Sequence, residues 1–390
     1  MSSAALRAFF FGRSWRNRPY LISPFFDFMM SGGLAIIVIA LILLLLPPQA
    51  ADFDRHVLFA SVLMAYLAYL VNDPHFMVSY QLLYDKFPER LQRLRHHREL
   101  YLRTLAAGVF VPVLMLGYFC YALALHDARL MNWAFTAMML IVGWHYTKQA
   151  FGVFIMLSAV KKVFYPQWQR LFFLVNSYVV WIVYCISALS YNDHYDDYIA
   201  QVGGLDLVPL TLFTLNADAT NIVGGVFVFF ALGSLLLAVW DRKNPAYSKT
   251  GLLGYLSMYY LLLSAALHPM LILVYPFFHS LQYLLFVYAY RRGEAGHKLS
   301  TAQDEMQRSA IRWQVVRSVG LALVLGVVFF FLFPALLEQW FNSQQNLFLP
   351  VTAAFIIFIN IHHYFIDNVL WRKENEEVGR YLFFDKKAAV

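Results

Sequence analysis

The chain of 390 residues is 61% hydrophobic and only 14% charged, with a formal net charge of +7. A soluble domain is nearer a quarter charged, so this composition excludes a soluble enzyme with one membrane anchor. It indicates an integral membrane protein that crosses the bilayer several times. The excess of lysine and arginine fits cytosolic loops better than a nucleic-acid surface, and we expect no nucleic-acid partner. Both cysteines, Cys120 and Cys185, lie in apolar runs, which predicts no disulfide framework.

The apolar runs predict one all-α membrane domain over residues 1–390, a helical bundle whose transmembrane core covers 27–371. We expect ten membrane-spanning helices, because ten runs are long enough to cross a bilayer. The predicted spans are 27–47, 57–84, 104–125, 132–160, 169–191, 222–240, 251–270, 273–291, 313–337 and 349–371. The seventh and eighth form one long apolar stretch, which we divide at His268-Pro269 and Tyr275-Pro276 because a single helix would greatly exceed the bilayer.

Loops rich in lysine and arginine alternate along the chain with loops that are poor in them. Since cytosolic loops carry the excess of these residues, both termini are predicted to be cytosolic. The loop at 192–221, which begins with an acidic cluster, is predicted to be external. The segment at 85–103 is predicted to be a basic amphipathic helix on the cytosolic surface. We expect a multi-pass protein of a bacterial cytoplasmic membrane.

Histidines inside the predicted spans are the candidate functional residues, because ionisable groups are costly in a bilayer and usually face a protein interior there. They occur in the second, fourth, eighth and tenth spans, which all run from outside to cytosol. At 1.5 Å per residue, His75, His145, His279 and His362 lie roughly 17, 24, 18 and 15 Å before the first cytosolic charge. These four histidines are therefore expected to share one layer of the membrane.

The tenth span carries two adjacent histidines and an aspartate. His363 and Asp367 are four residues apart and share one helix face, whereas His362 points about 100° away. Imidazole is a good ligand for iron, zinc and copper. The pattern therefore predicts a metal site formed by His75, His145, His279 and one of His362 or His363.

Other polar residues near these histidines are candidates for supporting roles. Ligating imidazoles usually donate their other N–H to a carboxylate or carbonyl, and Asp367 and Asp73 are the carboxylates available for this. Further candidates for this role are Gln149, Gln282 and Asn360. Lys148 follows His145 by three residues, and we expect it to be a counter-charge to Asp367 or to an anionic group of a substrate.

The order of these motifs resembles the Brp/Blh family of membrane β-carotene dioxygenases, which are multi-histidine integral membrane iron oxygenases. The family motifs read roughly Pro-His, His-Phe-Gly, His-Ser-x-x-His and Pro-His-x-x-x-Ile-Asp. The corresponding segments here are Pro74-His75, His145-Tyr146, His279-Ser280 and 362–367. This chain departs from the family in carrying Tyr283 for the second histidine of the third motif and Thr147 for the glycine of the second.

The resemblance implies iron ligation by these histidines and, by analogy, oxidative cleavage of a carotenoid. It also implies that His362 is the ligand of the adjacent pair, because the offset from His362 to Asp367 matches the family motif. The histidine boxes of fatty-acid desaturases are not matched, since His-x-x-His-His does not occur.

Three functions remain open at this point. The first and favoured one is a membrane enzyme with non-haem iron, an oxygenase acting on a lipid or isoprenoid substrate, with zinc as another metal. The second is a transporter or channel in which Asp73, Lys148, His363 and Asp367 relay protons or ions. The third is a b-type haem protein with two axial histidines. Covalent haem is excluded, because Cys-x-x-Cys-His does not occur.

Overall fold

The computed structural model describes residues 20–45, 52–190, 210–240, 248–267, 269–340, 348–372 and 374–383. Within these ranges the regular secondary structure is helical, and one isolated bridge joins Ser190 to Phe213 without forming a strand. The prediction of an all-α protein is confirmed for this part of the chain.

The described residues contain ten long helices, labelled in chain order. They are α1 (Pro24–Leu45), α2 (Phe53–Tyr84), α3 (Arg98–Ala124), α4 (Ala128–Val160), α5 (Gln167–Leu189), α6 (Ala217–Trp240), α7 (Lys249–Leu267), α8 (Tyr275–Thr301), α9 (Glu305–Leu337) and α10 (Phe348–Leu370). Seven of them are long and apolar enough to cross a membrane: α1, α2, α3, α5, α6, α9 and α10. Each of the ten overlaps one of the predicted spans.

Several predicted features lie outside the described residues. They are the N-terminal arginines within 1–19, the break at His268, and the first part of the external loop, at 191–209. The last part of the predicted loop is described, and α6 already begins at Ala217.

The predicted amphipathic helix at 85–103 is divided in the structure. A short helix, Phe87–Arg93, follows Lys86, which has a left-handed backbone (φ 54°). His97 has φ −111° and ψ 76°, values that no helix accommodates, and Arg98 then begins α3. The second half of the predicted surface helix is therefore the first turn and a half of a long apolar helix.

Four helices form a closed ring in the middle of the bundle. α2 packs on α10, α10 packs on α4, α4 packs on α8, and α8 packs on α2. In the apolar part of α10, 61% of the residues are buried, compared with 11% in α6. α10 is therefore central and α6 peripheral, and the ring is built from the four helices that carry the candidate histidines.

Prolines shape two of these four helices close to the histidines. α2 is interrupted by a turn at Leu70 and Val71, directly before Asn72, and Pro74 has no N–H to continue the helical hydrogen bonds. α8 begins at Tyr275 with Pro276 in its first turn, where a missing N–H is tolerated. Each proline thus lies in the first turn of a helical segment inside the protein; Pro74 directly precedes His75, and Pro276 precedes His279 by three residues.

Candidate metal centre

The ring of four helices brings four buried histidines and one aspartate together. His75 on α2, His279 on α8 and His363 on α10 each offer a nitrogen within 4.8 Å of the other two. His145 on α4, with His363 and Asp367 on α10, forms a second group with the same spread. His363 belongs to both groups and therefore lies at the centre of the cluster.

The backbone of α2 fixes the orientation of His75. Its Nδ1 lies 2.9 Å from the carbonyl oxygen of Asn72 and 3.2 Å from Oγ of Ser280, and Ser280 donates to Oδ1 of Asn72 at 2.8 Å. A carbonyl oxygen only accepts, so Nδ1 carries the proton and Nε2 keeps its lone pair. That nitrogen points into the cluster, 2.9 Å from Nε2 of His363. This is the orientation that a metal-ligating imidazole requires.

Asp367 is held in the cluster by a tyrosine. The hydroxyl of Tyr283 donates to Oδ1 of Asp367 at 2.9 Å and lies 2.5 Å from Oγ of Ser79. The other carboxylate oxygen, Oδ2, lies 3.2 Å from Nε2 of His363 and 3.7 Å from Nε2 of His145. One oxygen of Asp367 is therefore anchored, and the other faces the histidines.

Two buried ring nitrogens of the cluster have no hydrogen-bond partner among the described residues. They are Nε2 of His145 and Nδ1 of His363. A buried polar atom without a partner costs about 1–3 kcal/mol, and such atoms are rare unless something else satisfies them. Nε2 of His145 lies on the side of His363 and Asp367, so a metal bound by these three residues would satisfy it.

Two of the distances between donor atoms fit ligands of one ion. Two ligand atoms, each about 2.1 Å from one metal, lie about 3.0 Å apart at a right angle and about 3.4 Å apart in a tetrahedron. The observed separations of 2.9 Å between His75 and His363 and 3.2 Å between His363 and Asp367 match this range. The donor set of imidazoles with a carboxylate suits iron or zinc.

The adjacent histidine, His362, points out of the cluster, and both of its ring nitrogens are hydrogen-bonded to other residues of the protein. Its Nδ1 accepts from the hydroxyl of Tyr80 at 2.6 Å, and its Nε2 donates to the carbonyl oxygen of Ala107 at 2.8 Å. No lone pair remains for a metal. The structure therefore contradicts the preference for His362, and His363 is the member of the pair that faces the cluster.

Asp73 also lies outside the cluster. It precedes His75 by two residues, so the two side chains leave α2 about 200° apart. The Cβ atom of Asp73 faces α9. A Cβ atom added to Gly326 of α9 would lie only 3.1 Å from it. The predicted role of Asp73 in orienting a ligand therefore does not fit the structure.

The other predicted supporting residues have local partners. Gln149 donates to the carbonyl oxygen of His279 at 2.8 Å, and Gln282 donates to that of Ser31. Both side chains therefore bond backbone carbonyl groups and not the imidazole rings. Asn360 donates to the carbonyl oxygen of Ile356 at 2.9 Å within α10. The ammonium of Lys148 donates to Asn368 at 3.4 Å, next to the cluster but not in it.

Sequence reasoning missed the supporting roles of Tyr283, Ser79 and Ser280. A usable signal was present, because Tyr283 is four residues after His279 and Ser79 is four residues after His75. Residues at this spacing share a helix face. The hydroxyl groups of both residues therefore face the same interior as the histidines.

Comparisons with protein-family models, with curated proteins and with solved structures each returned no match. What is established for this chain therefore comes from its own residues. The described part of the chain is helical, with helices apolar enough to span a membrane and a buried histidine cluster that could hold a metal ion.

Proposed function

We propose that this protein is a membrane-embedded non-haem iron enzyme, an oxygenase that acts on an apolar lipid or isoprenoid substrate. The observation that carries the proposal is the convergence of His75, His145, His279 and His363 with Asp367 inside a ring of four helices. Placing five such groups in one apolar interior is costly unless hydrogen bonds or a shared ligand satisfy them. Iron bound there would supply the chemistry with dioxygen.

The protein residues have distinct roles in this proposal. His75, His279, His363 and His145 are the ligands, and the anchored carboxylate of Asp367 either joins them or orients His363. Tyr283 holds Asp367, while Ser280 and the backbone of Asn72 hold the ring of His75. The helical ring excludes bulk water from the site.

Aromatic side chains around the cluster support an apolar substrate. The ring of Phe76 lies 4.9 Å from that of His363, that of Tyr146 lies 4.3 Å from that of His279, and that of Tyr364 lies 5.8 Å from that of His145. Such rings favour hydrocarbon over charged ligands. The motif resemblance to the β-carotene dioxygenases points to the same substrate class.

The geometry disfavours the two other functions. Axial histidines on opposite faces of a haem hold their nitrogens about 4 Å apart with the macrocycle between them, whereas His75 and His363 are 2.9 Å apart. A proton relay through Asp73 would need that residue beside the cluster, and it faces α9 instead.

The membrane arrangement is part of the proposal. All ten long helices cross the membrane in this arrangement, both termini are cytosolic, and the membrane is the bacterial cytoplasmic membrane. This membrane arrangement is supported by the overlap of ten helices with ten apolar runs and by the alternation of loops rich and poor in lysine and arginine.

The test is to measure metal in protein purified in detergent, by elemental analysis and absorption spectroscopy. Wild type is expected to hold iron without a haem spectrum. His363→Gln should lose most of it, since glutamine keeps the size and polarity but is a poor ligand for this metal. The matched control is the same change at the next residue, His362→Gln, which should retain the metal.

Two results would overturn the proposal. One is wild-type protein that binds no transition metal even after reconstitution with ferrous or zinc ions. The other is a folded His363→Gln variant with the full wild-type metal content. A haem spectrum in wild type would instead favour the b-type haem protein.

A further inference from the structure

Lys148 is a half-buried cation midway along α4 that the metal centre leaves unexplained. Among the residues that the structure describes, its ammonium donates only to Oδ1 of Asn368, at 3.4 Å. Asp367 attracts the charge of Lys148, but its two oxygens face Tyr283 and His363. Lys148 therefore has no carboxylate in ion-pair contact within the described part of the chain.

Two further cations approach Lys148 from neighbouring elements. Arg372, just beyond α10, bonds the carbonyl oxygen of Asn368, the residue whose side chain accepts from Lys148, and Arg103 lies near the start of α3. The acid beside them is Glu99, which lies 2.8 Å from Arg103 and 3.8 Å from Arg372. Its side chain is 73% exposed, so it neutralises the outer edge of the group and not the half-buried lysine.

A second acid, Glu374, lies 3.9 Å from Arg372 and is also well exposed. Three cations that converge on a partly desolvated place repel one another, and this arrangement costs free energy unless an anion balances it. Lysine is a mobile point charge with three donors, and arginine adds a planar fork that matches carboxylate or phosphate oxygens. The group therefore has the chemistry of an oxyanion site.

The position of this group connects it to the metal centre. Lys148 follows His145 by three residues on α4, and Asn368 directly follows Asp367 on α10. Lys148 thus lies about one helical turn, roughly 5 Å, beyond His145 along α4, and Arg372 lies five residues, roughly 8 Å, beyond Asp367 at the end of α10. They lie on the side of the predicted basic loops, where Arg372 also bonds the carbonyl oxygen of Asn368 at 3.1 Å.

We propose that Lys148, Arg103 and Arg372 bind the oxyanion headgroup, a carboxylate or phosphate, of an amphiphilic substrate whose apolar tail reaches the metal centre. This inference rests on the proposed function for the metal centre and specifies its substrate class. A headgroup held about one turn from the cluster places the first carbons of the tail beside the histidines. The enzyme then acts near the headgroup and not at the far end of the chain.

The experiment measures binding of three radiolabelled ligands with the same tail to the full chain in detergent micelles. The ligands are palmitate, hexadecyl phosphate and hexadecanol. Wild type should bind at least one of the two anions at least tenfold more tightly than the alcohol, and the preferred anion identifies the headgroup. Lys148→Met should lose this preference while binding the alcohol as wild type does.

The matched control is Lys298→Met. Lys298 is a partly buried lysine near the end of α8 whose charge is already paired with Glu294 at 2.8 Å. This variant should keep the anion preference. Equal binding of anions and alcohol by wild type, or an unchanged preference in Lys148→Met, would overturn the inference.

Metal content is measured in the same samples to separate the two proposals. Lys148→Met should keep its metal, because Lys148 is not a ligand. Absence of metal from wild type would contradict the proposed function. The anion preference is obtained from ligand binding, so its loss in Lys148→Met is judged separately from the metal content.

Discussion

The hydrogen bond from Tyr283 to Asp367 provides a quantitative test of the metal centre. Tyr283→Phe removes one hydroxyl group and leaves the buried oxygen Oδ1 of Asp367 without this donor. A hydrogen bond to a charged group contributes about 1.5–3 kcal/mol. Loss of a partner that holds a metal ligand typically costs about 10- to 100-fold in affinity. The two figures agree, since a tenfold change corresponds to about 1.4 kcal/mol.

We therefore expect Tyr283→Phe to weaken metal binding about 10- to 100-fold. The assay is competition with a chromophoric chelator in detergent, with helix content checked by circular dichroism. Tyr80→Phe is the matched control, because it removes a tyrosine hydroxyl that bonds His362 and not the cluster. Asp367→Asn should weaken binding at least as much as Tyr283→Phe does. Wild-type affinity in a folded Tyr283→Phe protein would refute the role of this hydroxyl.

Two other predictions concern the membrane arrangement and the C-terminal segment. Reporter fusions at Arg95 and at Asp196 should report opposite sides of the membrane, and the same side for both would contradict the ten-helix arrangement. Gly293→Ala should release the C-terminal segment and speed its cleavage by trypsin, because a side chain there would overlap the backbone carbonyl of Tyr381. Gly320→Ala is the control, since a side chain there meets no atom within 4 Å; cleavage at equal rates in both variants would contradict the packing.

The C-terminal segment contacts the rest of the protein through one acid as well as through this glycine. Glu377 bonds Arg90 and Arg93, both at 2.9 Å, and Tyr290 donates to it at 3.2 Å. Glu377 thus joins the short surface helix, the end of α8 and the C-terminal segment. The basic character of 85–103 predicted a surface location, but it did not predict this partner.

The amino-acid sequence by itself predicted the helices and named the histidines that the structure brings together. Long apolar runs leave the backbone no other way to satisfy its hydrogen bonds in a bilayer, so each run predicts a helix. The shared face of His363 and Asp367 also follows from spacing alone, because residues four apart are neighbours on any helix. The prediction that the histidines share one layer of the membrane came from counting residues to the basic loops.

The tertiary structure decided which residue of each helix faces the interior. The sequence alone does not show which of His362 and His363 faces the cluster, because that depends on how α10 is rotated about its axis. Packing against α2 and α3 places His362 in hydrogen-bond contact with Tyr80 and Ala107. The same applies to Asp73, which the orientation of α2 turns towards α9. Rotation of a helix is set by the sum of its contacts with several neighbours, and those contacts are distant in sequence. For that reason the periodicity of a single segment could not predict it.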